Sequence, residues 1–427
     1  MFRDISKFPA GFVSFSNALP ALEETAQLSG LIVRQSNKFS AEGFLLTLLK
    51  AVSTGHASFG QMASCLGERE SKTLSRQALH QRMKPAAIDF LQSVLQQTAA
   101  STAAAGRKDW KLPFRRILLE DATQFRMHPG NHPSFRAVAN NSGPTAGAKV
   151  DVVLDLISGQ LLRLFETEGH VQDRTLGPEL LPMVGEGDLV LRDMGYFDVS
   201  AFADVESRKA FWLSRLHGQA SATSGDGEAL ESLLAKASGK LLDLEVVLTQ
   251  KAHRARLVAF RSSPEVASRR RQQKKDKRKR NGTQASKRSL VREDWTILVT
   301  NITPEQCSAE ELFRLYRQRW EIEIHFRAWK QSLQMHKALH RITSRIHLHA
   351  LMLAAMIFST LAIRINRLII QQIPGLQASV EKLFAWLSGR LKIIRRLSAE
   401  LPLDPRHICR CKRKRKSLKQ NGNGFRP

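Results

Sequence analysis

The run from Leu315 to Lys330, LYRQRWEIEIHFRAWK, constrains this chain more than any other stretch. Tyr316, Arg319, Glu323 and Lys330 stand at relative positions 0, 3, 7 and 14. At about 100° per residue they fall within a sector of roughly 60° on one helix face. Ile322, Phe326, Trp329 and Leu333 form a second stripe beside it, with the spacing of a buried face. The pattern predicts a rigid helix held to a core, presenting one carboxylate among two cations and a phenol. Such a set suits a phosphodiester: the acid holds a metal and the cations hold phosphate oxygens.

A chain of 427 residues can bury a substantial core and suggests two or three domains. Its 66 Lys and Arg against 39 Asp and Glu leave a net charge of +27, which points to a polyanionic partner, nucleic acid before membrane. The N-terminal MFRDISKFPAGF has no apolar core of signal-peptide length. The longest apolar run, Leu348 to Ile363, is interrupted by His349 and is shorter than the roughly 20 residues of a membrane span. It is expected to be a buried helix, and no membrane partner is expected. Four cysteines (Cys65, Cys307, Cys409, Cys411) argue against a disulfide framework and fit a reducing compartment. Cys409 and Cys411, with His407 nearby, lack the second ligand pair of a zinc site.

Along the chain, Ala41 to Gln97 reads as several short helices, with Ser75 opening one and Pro85 the next. Arg76, His80, Gln81 and Arg82 on the third are compatible with a helix-turn-helix, and equally with a plain bundle. Thr98 to Gly106, rich in Ala, Ser and Thr, is expected to be a linker. Beyond Trp110 the pattern becomes mixed α/β around one sheet. RRILLED is a strand ending in acids, Lys149–Asp155 and Leu161–Thr167 form a hairpin about Ser158-Gly159, and DLVLRD is a further strand. A helix over Ser200–Arg208, a strand at AFWLSRL, a β-hairpin from LLDLEVVLTQ and RARLVAF, and a strand at WTILVTN follow. Between the last two lies RRRQQKKDKRKR, nine basic residues and one acid from Arg269 to Arg280. It is expected to be a solvated loop that binds phosphate backbone. Ser308 and Glu311 make a capping box for the long helix. After Lys337 the chain reads as helical to about Ser398, broken near Pro374-Gly375, and ends in a basic cluster at Lys412–Lys416.

Metal-dependent phosphoryl transfer needs several converging oxygen ligands, so Glu323 requires partners. Asp121 follows Ile117-Leu118-Leu119 and Asp193 follows Leu189-Val190-Leu191, each at a strand end before small or turn residues. Glu120, Asp151 and Asp155 compete. Adjacent strand residues face opposite ways, so only one of Glu120 and Asp121 can face a shared site, and Asp121 is preferred as the strand exit.

The spacing of Tyr316, Arg319, Glu323 and Lys330 resembles the YREK signature of the DDE transposases of bacterial insertion sequences. Specifically it looks like the IS-four branch, which includes the transposase of transposon five. LVLRDMGYF resembles that family's second-Asp motif and ILLEDATQF its first, and agreement runs from about Arg115 to Lys337. Met194 and Ala122 depart from the usual pattern without removing a ligand.

The resemblance implies an RNase H-like core, a mixed five-stranded sheet with helices. A β-rich insertion would precede the last catalytic helix, and helical regions would flank the core on both sides. The corresponding domains are 1–106 (DNA-binding), 107–216 (core), 217–300 (insertion with the basic loop), 301–345 (core, last part) and 346–427. It makes Asp121, Asp193 and Glu323 the ligands of two Mg²⁺ ions, with Mn²⁺ substituting. It makes Tyr316, Arg319 and Lys330 contacts to DNA near the scissile phosphate, and Trp295 a residue that stacks on a flipped base. By their charge, and not by the resemblance, Arg269, Arg270, Arg271, Lys274, Lys275, Lys277, Arg278, Lys279 and Arg280 are expected to contact phosphate backbone. The implied partners are double-stranded DNA, both element ends and target, and a second copy in a homodimer. The implied location is the bacterial cytoplasm, at the nucleoid. Two alternatives keep the same residues: an RNase H-like nuclease without strand transfer, and an inactive or domesticated DNA-binding regulator.

Overall fold

Helix starts fall where the capping residues put them. Ser40 accepts the Gly43 N–H to open α2 (Ala41–Thr54), Ser75 accepts the Ala78 N–H to open α4 (Arg76–Arg82), and Pro85 begins α5 (Pro85–Ala104). With α1 (Leu22–Leu28) and α3 (Phe59–Glu70) these make the expected N-terminal set of helices. The computed structural model describes residues 11–13, 21–34, 39–70, 74–104, 112–139, 143–340, 342–372, 379–388 and 401–403. Cys409, Cys411, His407 and the Lys412–Lys416 cluster lie outside the described residues. The linker expected from Thr98 is instead helix as far as Ala104. Thr98 is buried, and its hydroxyl bonds back to the Val94 carbonyl, so small polar residues continue the helix there.

The chain forms two compact units, and it passes between them inside one strand, β2 (Ile117–Arg126), between Glu120 and Asp121. It passes again between Arg319 and Trp320.

The first unit holds the N-terminal helices, the rest of β2, and the hairpin of β3 (Gly147–Asp155) and β4 (Gln160–Glu168). Gly159 supplies the left-handed turn residue of that hairpin at φ +66°. This unit also holds α11 (Trp320–Gln331), α12 (Met335–Leu339), α13 (Arg345–Gln372), α14 (Val380–Ser388) and a small ribbon of β1 (Gly11–Val13) with β11 (Leu401–Leu403). The apolar run of α13 packs on α2 and α5, burying Leu351, Met352, Ile357 and Phe358. By length and composition Arg345–Arg367 could cross a membrane, but 89% of its apolar 18-residue stretch is buried inside the protein, as a core helix is.

The second unit is built on strands in the order β2, β5, β6, β10, β9, β8, β7. These are β5 (Leu189–Arg192), β6 (Phe211–Arg215), β7 (Ala222–Thr223), β8 (Leu241–Leu248), β9 (His253–Arg261) and β10 (Trp295–Thr300). The β2–β5 and β5–β6 pairs are parallel, β5 leads to β6 through α6 (Val199–Glu206), and β10 runs antiparallel to β6. The expected hairpin of the insertion is β8–β9. Because β9 also pairs along all of β10, the insertion extends the sheet, and strands exceed the five expected. Around it lie α7 (Leu230–Lys236), α8 (Pro264–Arg280), α9 (Lys287–Val291) and α10 (Ala309–Arg317). Asp173–Met183 is a 3-10 segment, with Pro178 and Pro182 inside it.

Candidate active site

Ser308 and Glu311 form the expected capping box, and Ile322, Phe326, Trp329 and Leu333 are all buried. The single helix expected across Leu315–Lys330 is nevertheless two. α10 ends at Arg317, and the Gln318 and Arg319 amides bond carbonyls three residues back, Leu315 and Tyr316, in a tighter turn. α11 starts at Trp320. Tyr316 and Arg319 therefore belong to the second unit, and Glu323 and Lys330 to the first.

Asp193 ends β5 and stands at the head of a 3-10 turn, Met194–Tyr196, without capping it. Its carboxylate, 33% exposed, accepts the Tyr316 hydroxyl at 2.9 Å, and Arg319 Nε lies 3.9 Å from the same oxygen. Burial first, and the Asp193 charge second, push the Tyr316 phenol well above its ordinary pKa, so it stays protonated and donates. A Cβ at Gly195 would meet Asp173 Oδ2 at 3.1 Å, a physical reason for glycine in the DMGY segment.

The competing acids are occupied elsewhere. Glu120 is fully buried and paired with Arg192, whose other arm donates to the Gly177 carbonyl at 2.6 Å. Asp151 is buried 3.6 Å from Arg163, and Asp155 accepts the Ile157 and Ser158 amides in the hairpin turn. Asp121 remains half-buried and accepts its neighbour Ala122's N–H at 2.8 Å. It does not end its strand, as expected, but sits midway, because β2 continues to Arg126. Glu323 is half-buried in the first turn of α11, where the helix dipole favours an anion. Lys330 lies 5.6 Å from the Phe125 ring centre, and burial lowers its pKa.

The basic run is not a loop. Arg269 to Arg280 is most of α8, capped by Ser263 with Pro264 in its first turn. Ala267, Arg270, Arg271 and Lys274 recur at helical spacing on the inward side. Arg270 donates to Ser262 at 2.8 Å, Arg271 pairs with Asp294, and Lys274 reaches Glu293 and the Ser289 carbonyl, both at 2.8 Å. Arg269, Lys275, Lys277, Arg278, Lys279 and Arg280 are exposed. Trp295 opens β10 only 2% exposed, with the Arg261 guanidinium 4.3 Å over its ring. Trp320, to which the sequence pattern assigned no role, is 56% exposed; its place off the apolar stripe was the available signal.

Residues 112–359 match the sequence profile described as "Transposase DDE domain". The chain belongs to that family. It is similar to the transposases for insertion sequence elements IS231B and IS231C of Bacillus thuringiensis subsp. berliner, at 25% and 27% identity, each covering 82% of this chain and 79% of the relative. It is 20% identical to the transposase for IS1151 of Clostridium perfringens, over 66% of this chain and 64% of that protein.

As a DDE transposase of the bacterial insertion-sequence type, the protein is an enzyme with DNA as its substrate. Divalent cations in such enzymes take hard oxygen ligands. Asp121, Asp193 and Glu323 are half-buried carboxylates, the donor chemistry such an ion requires. Among the described residues, no three Asp, Glu, His or Cys side chains are grouped as a ready-made metal cluster.

Proposed function

We propose that this transposase cuts the ends of an insertion sequence and joins them to target DNA, with Asp121, Asp193 and Glu323 holding divalent metal, Mg²⁺ by preference. The hydrogen bond from Tyr316 to Asp193 carries this proposal: it joins the second-Asp segment to the YREK segment, far apart in sequence. The buried contacts of Glu120, Asp151 and Asp155 support it, whereas Asp121 on β2 is only half-buried. An RNase H-like core is supported by the parallel run of β2, β5 and β6 and by the β3–β4 hairpin that follows β2 in sequence.

Bound divalent metal would supply acidification of water or a 3′-OH and neutralisation of phosphate charge. The chain's own residues supply the rest. Tyr316 and Arg319 hold the Asp193 carboxylate in place, and Arg319 and Lys330 offer cations to the phosphate oxygens. No covalent protein–DNA link is needed, and the protonated Tyr316 is a poor nucleophile. Stacking of Trp295 on a base would require the Arg261 side chain to leave its ring. A homodimer synapsing two ends, and a hairpin intermediate, complete the proposal.

Incubation with Mg²⁺, element-end DNA and a target plasmid, followed by sequencing of the products, tests it. Ends joined to target are expected. Cut ends that never join would make the protein a nuclease, and binding without cutting would make it a regulator.

A further inference from the structure

The β8–β9 hairpin and α10 enclose a cleft of about 510 Å³ that the transposition chemistry leaves unused. Phe260 and Phe313 form its floor, both half-buried, with ring centres 4.5 Å apart and planes at 33°. Leu241, 37% exposed, extends the apolar surface. Lys240, Arg261, Arg314 and Arg317 stand exposed around it, against one acid, Glu310. Strand register pairs Leu241 with Phe260 and Phe260 with Thr296, so these three share one face of the sheet. Trp295 pairs with Arg261 in the adjacent register and does not line the cleft, although Arg261, over its ring, does.

The lining chemistry selects the occupant. A tilted aromatic pair has nothing to offer a bare phosphate, and four cations repel a basic peptide, including this chain's own Lys412–Lys416 cluster. A flat, weakly polar ring bearing a negative charge satisfies both parts. Duplex bases are stacked on one another, so only an unpaired base can present its face to an aromatic side chain. The volume lies within the roughly 300–1,000 Å³ of small-ligand sites. We propose that this cleft binds an unpaired nucleotide of the DNA substrate, its base on Phe260 and Phe313 and its phosphate on Arg314 and Arg317. The proposal rests on DNA being the substrate and is independent of the metal-binding acids.

The test uses the full-length protein and three probes: a blunt duplex, the same duplex with a three-nucleotide single-stranded tail, and that duplex with an abasic tail. The tailed duplex should bind more tightly than the blunt one, and the abasic tail should lose that gain. Phe313→Leu keeps apolar bulk but removes the ring. It should lose about five- to 150-fold in affinity for the tailed duplex, the range for one stacked base, with blunt-duplex affinity unchanged. Arg317→Gln should weaken binding of both tailed probes. Equal affinity for all three probes, or an undiminished tail preference in Phe313→Leu, would overturn the cleft assignment while leaving DNA binding intact. A shift in oligomeric state of Phe313→Leu without DNA, with the tail preference kept, would reassign the cleft to a second copy of the chain. Failure to bind any probe would overturn the DNA-substrate reading along with it.

Discussion

The Tyr316 phenol donates to Asp193 Oδ1 at 2.9 Å across 123 residues of chain, with Arg319 close to the same oxygen. The acid that follows β5 is thus held by α10 and the turn after it. Tyr316→Phe removes only the hydroxyl. It should cost about 1–2 kcal/mol, the range for a partly exposed hydrogen bond to a charged acceptor, measurable by urea unfolding at neutral pH. The folded-state pKa of the phenol is raised, so this stability is fully present below the unfolded pKa of about 10 and is lost as pH rises beyond it. The gap between wild type and Tyr316→Phe should therefore be constant from pH 6 to 9 and close above about 10. A gap that closes near neutrality would show that the phenol is not held in this way.

Glu120 and Asp121 are neighbours with opposite expected phenotypes. Glu120→Gln leaves the buried Arg192 guanidinium without its counter-charge. Breaking a buried pair on one side costs about 3–5 kcal/mol, so this variant should lose much of its thermal stability. Asp121→Asn should melt close to the wild type but fail to cleave DNA. Equal stability losses in the two variants would contradict the division of labour between the two acids.

The two sides of α8 should also separate. Replacing Lys275, Lys277, Arg278 and Lys279 with Gln removes exposed charge without touching the anchored side. The slope of log affinity against log salt should fall by up to about 0.9 for each phosphate left without its cation. Arg271→Gln and Lys274→Gln break pairs with Asp294 and Glu293 instead, so they should lower thermal stability and change the slope less. An unchanged slope in the first variant would mean that the outward cations are merely solvated.

Much of this was legible because local rules and tertiary packing agree. The Ser308–Glu311 box, the buried stripe from Ile322 to Leu333 and the Ser158-Gly159 hairpin each follow from residue type and period. The break after Arg317 was not legible, because no Gly or Pro marks it and the residues around it keep helical spacing. The α8 run read as a loop because nine cations in twelve residues repel. What holds the helix is long-range, since Asp294 and Glu293 come from beyond the helix and neutralise its inner side. Asp121 read as a strand exit because apolar residues stop at Leu119. β2 continues past it in alternation, burying Thr123 and Phe125. Asp121, Asp193 and Glu323 were proposed from family resemblance. That Glu120 is a structural partner rather than a rival needed the Arg192 contact.

The central claim is that three carboxylates serve one metal-dependent reaction. The most direct measurement is single-turnover cleavage of element-end DNA in Mg²⁺ by Asp121→Asn, Asp193→Asn and Glu323→Gln, with end binding measured on the same preparations. All three variants should bind the ends near wild-type affinity and none should cleave. Cleavage at the wild-type rate by any one of them would contradict the claim.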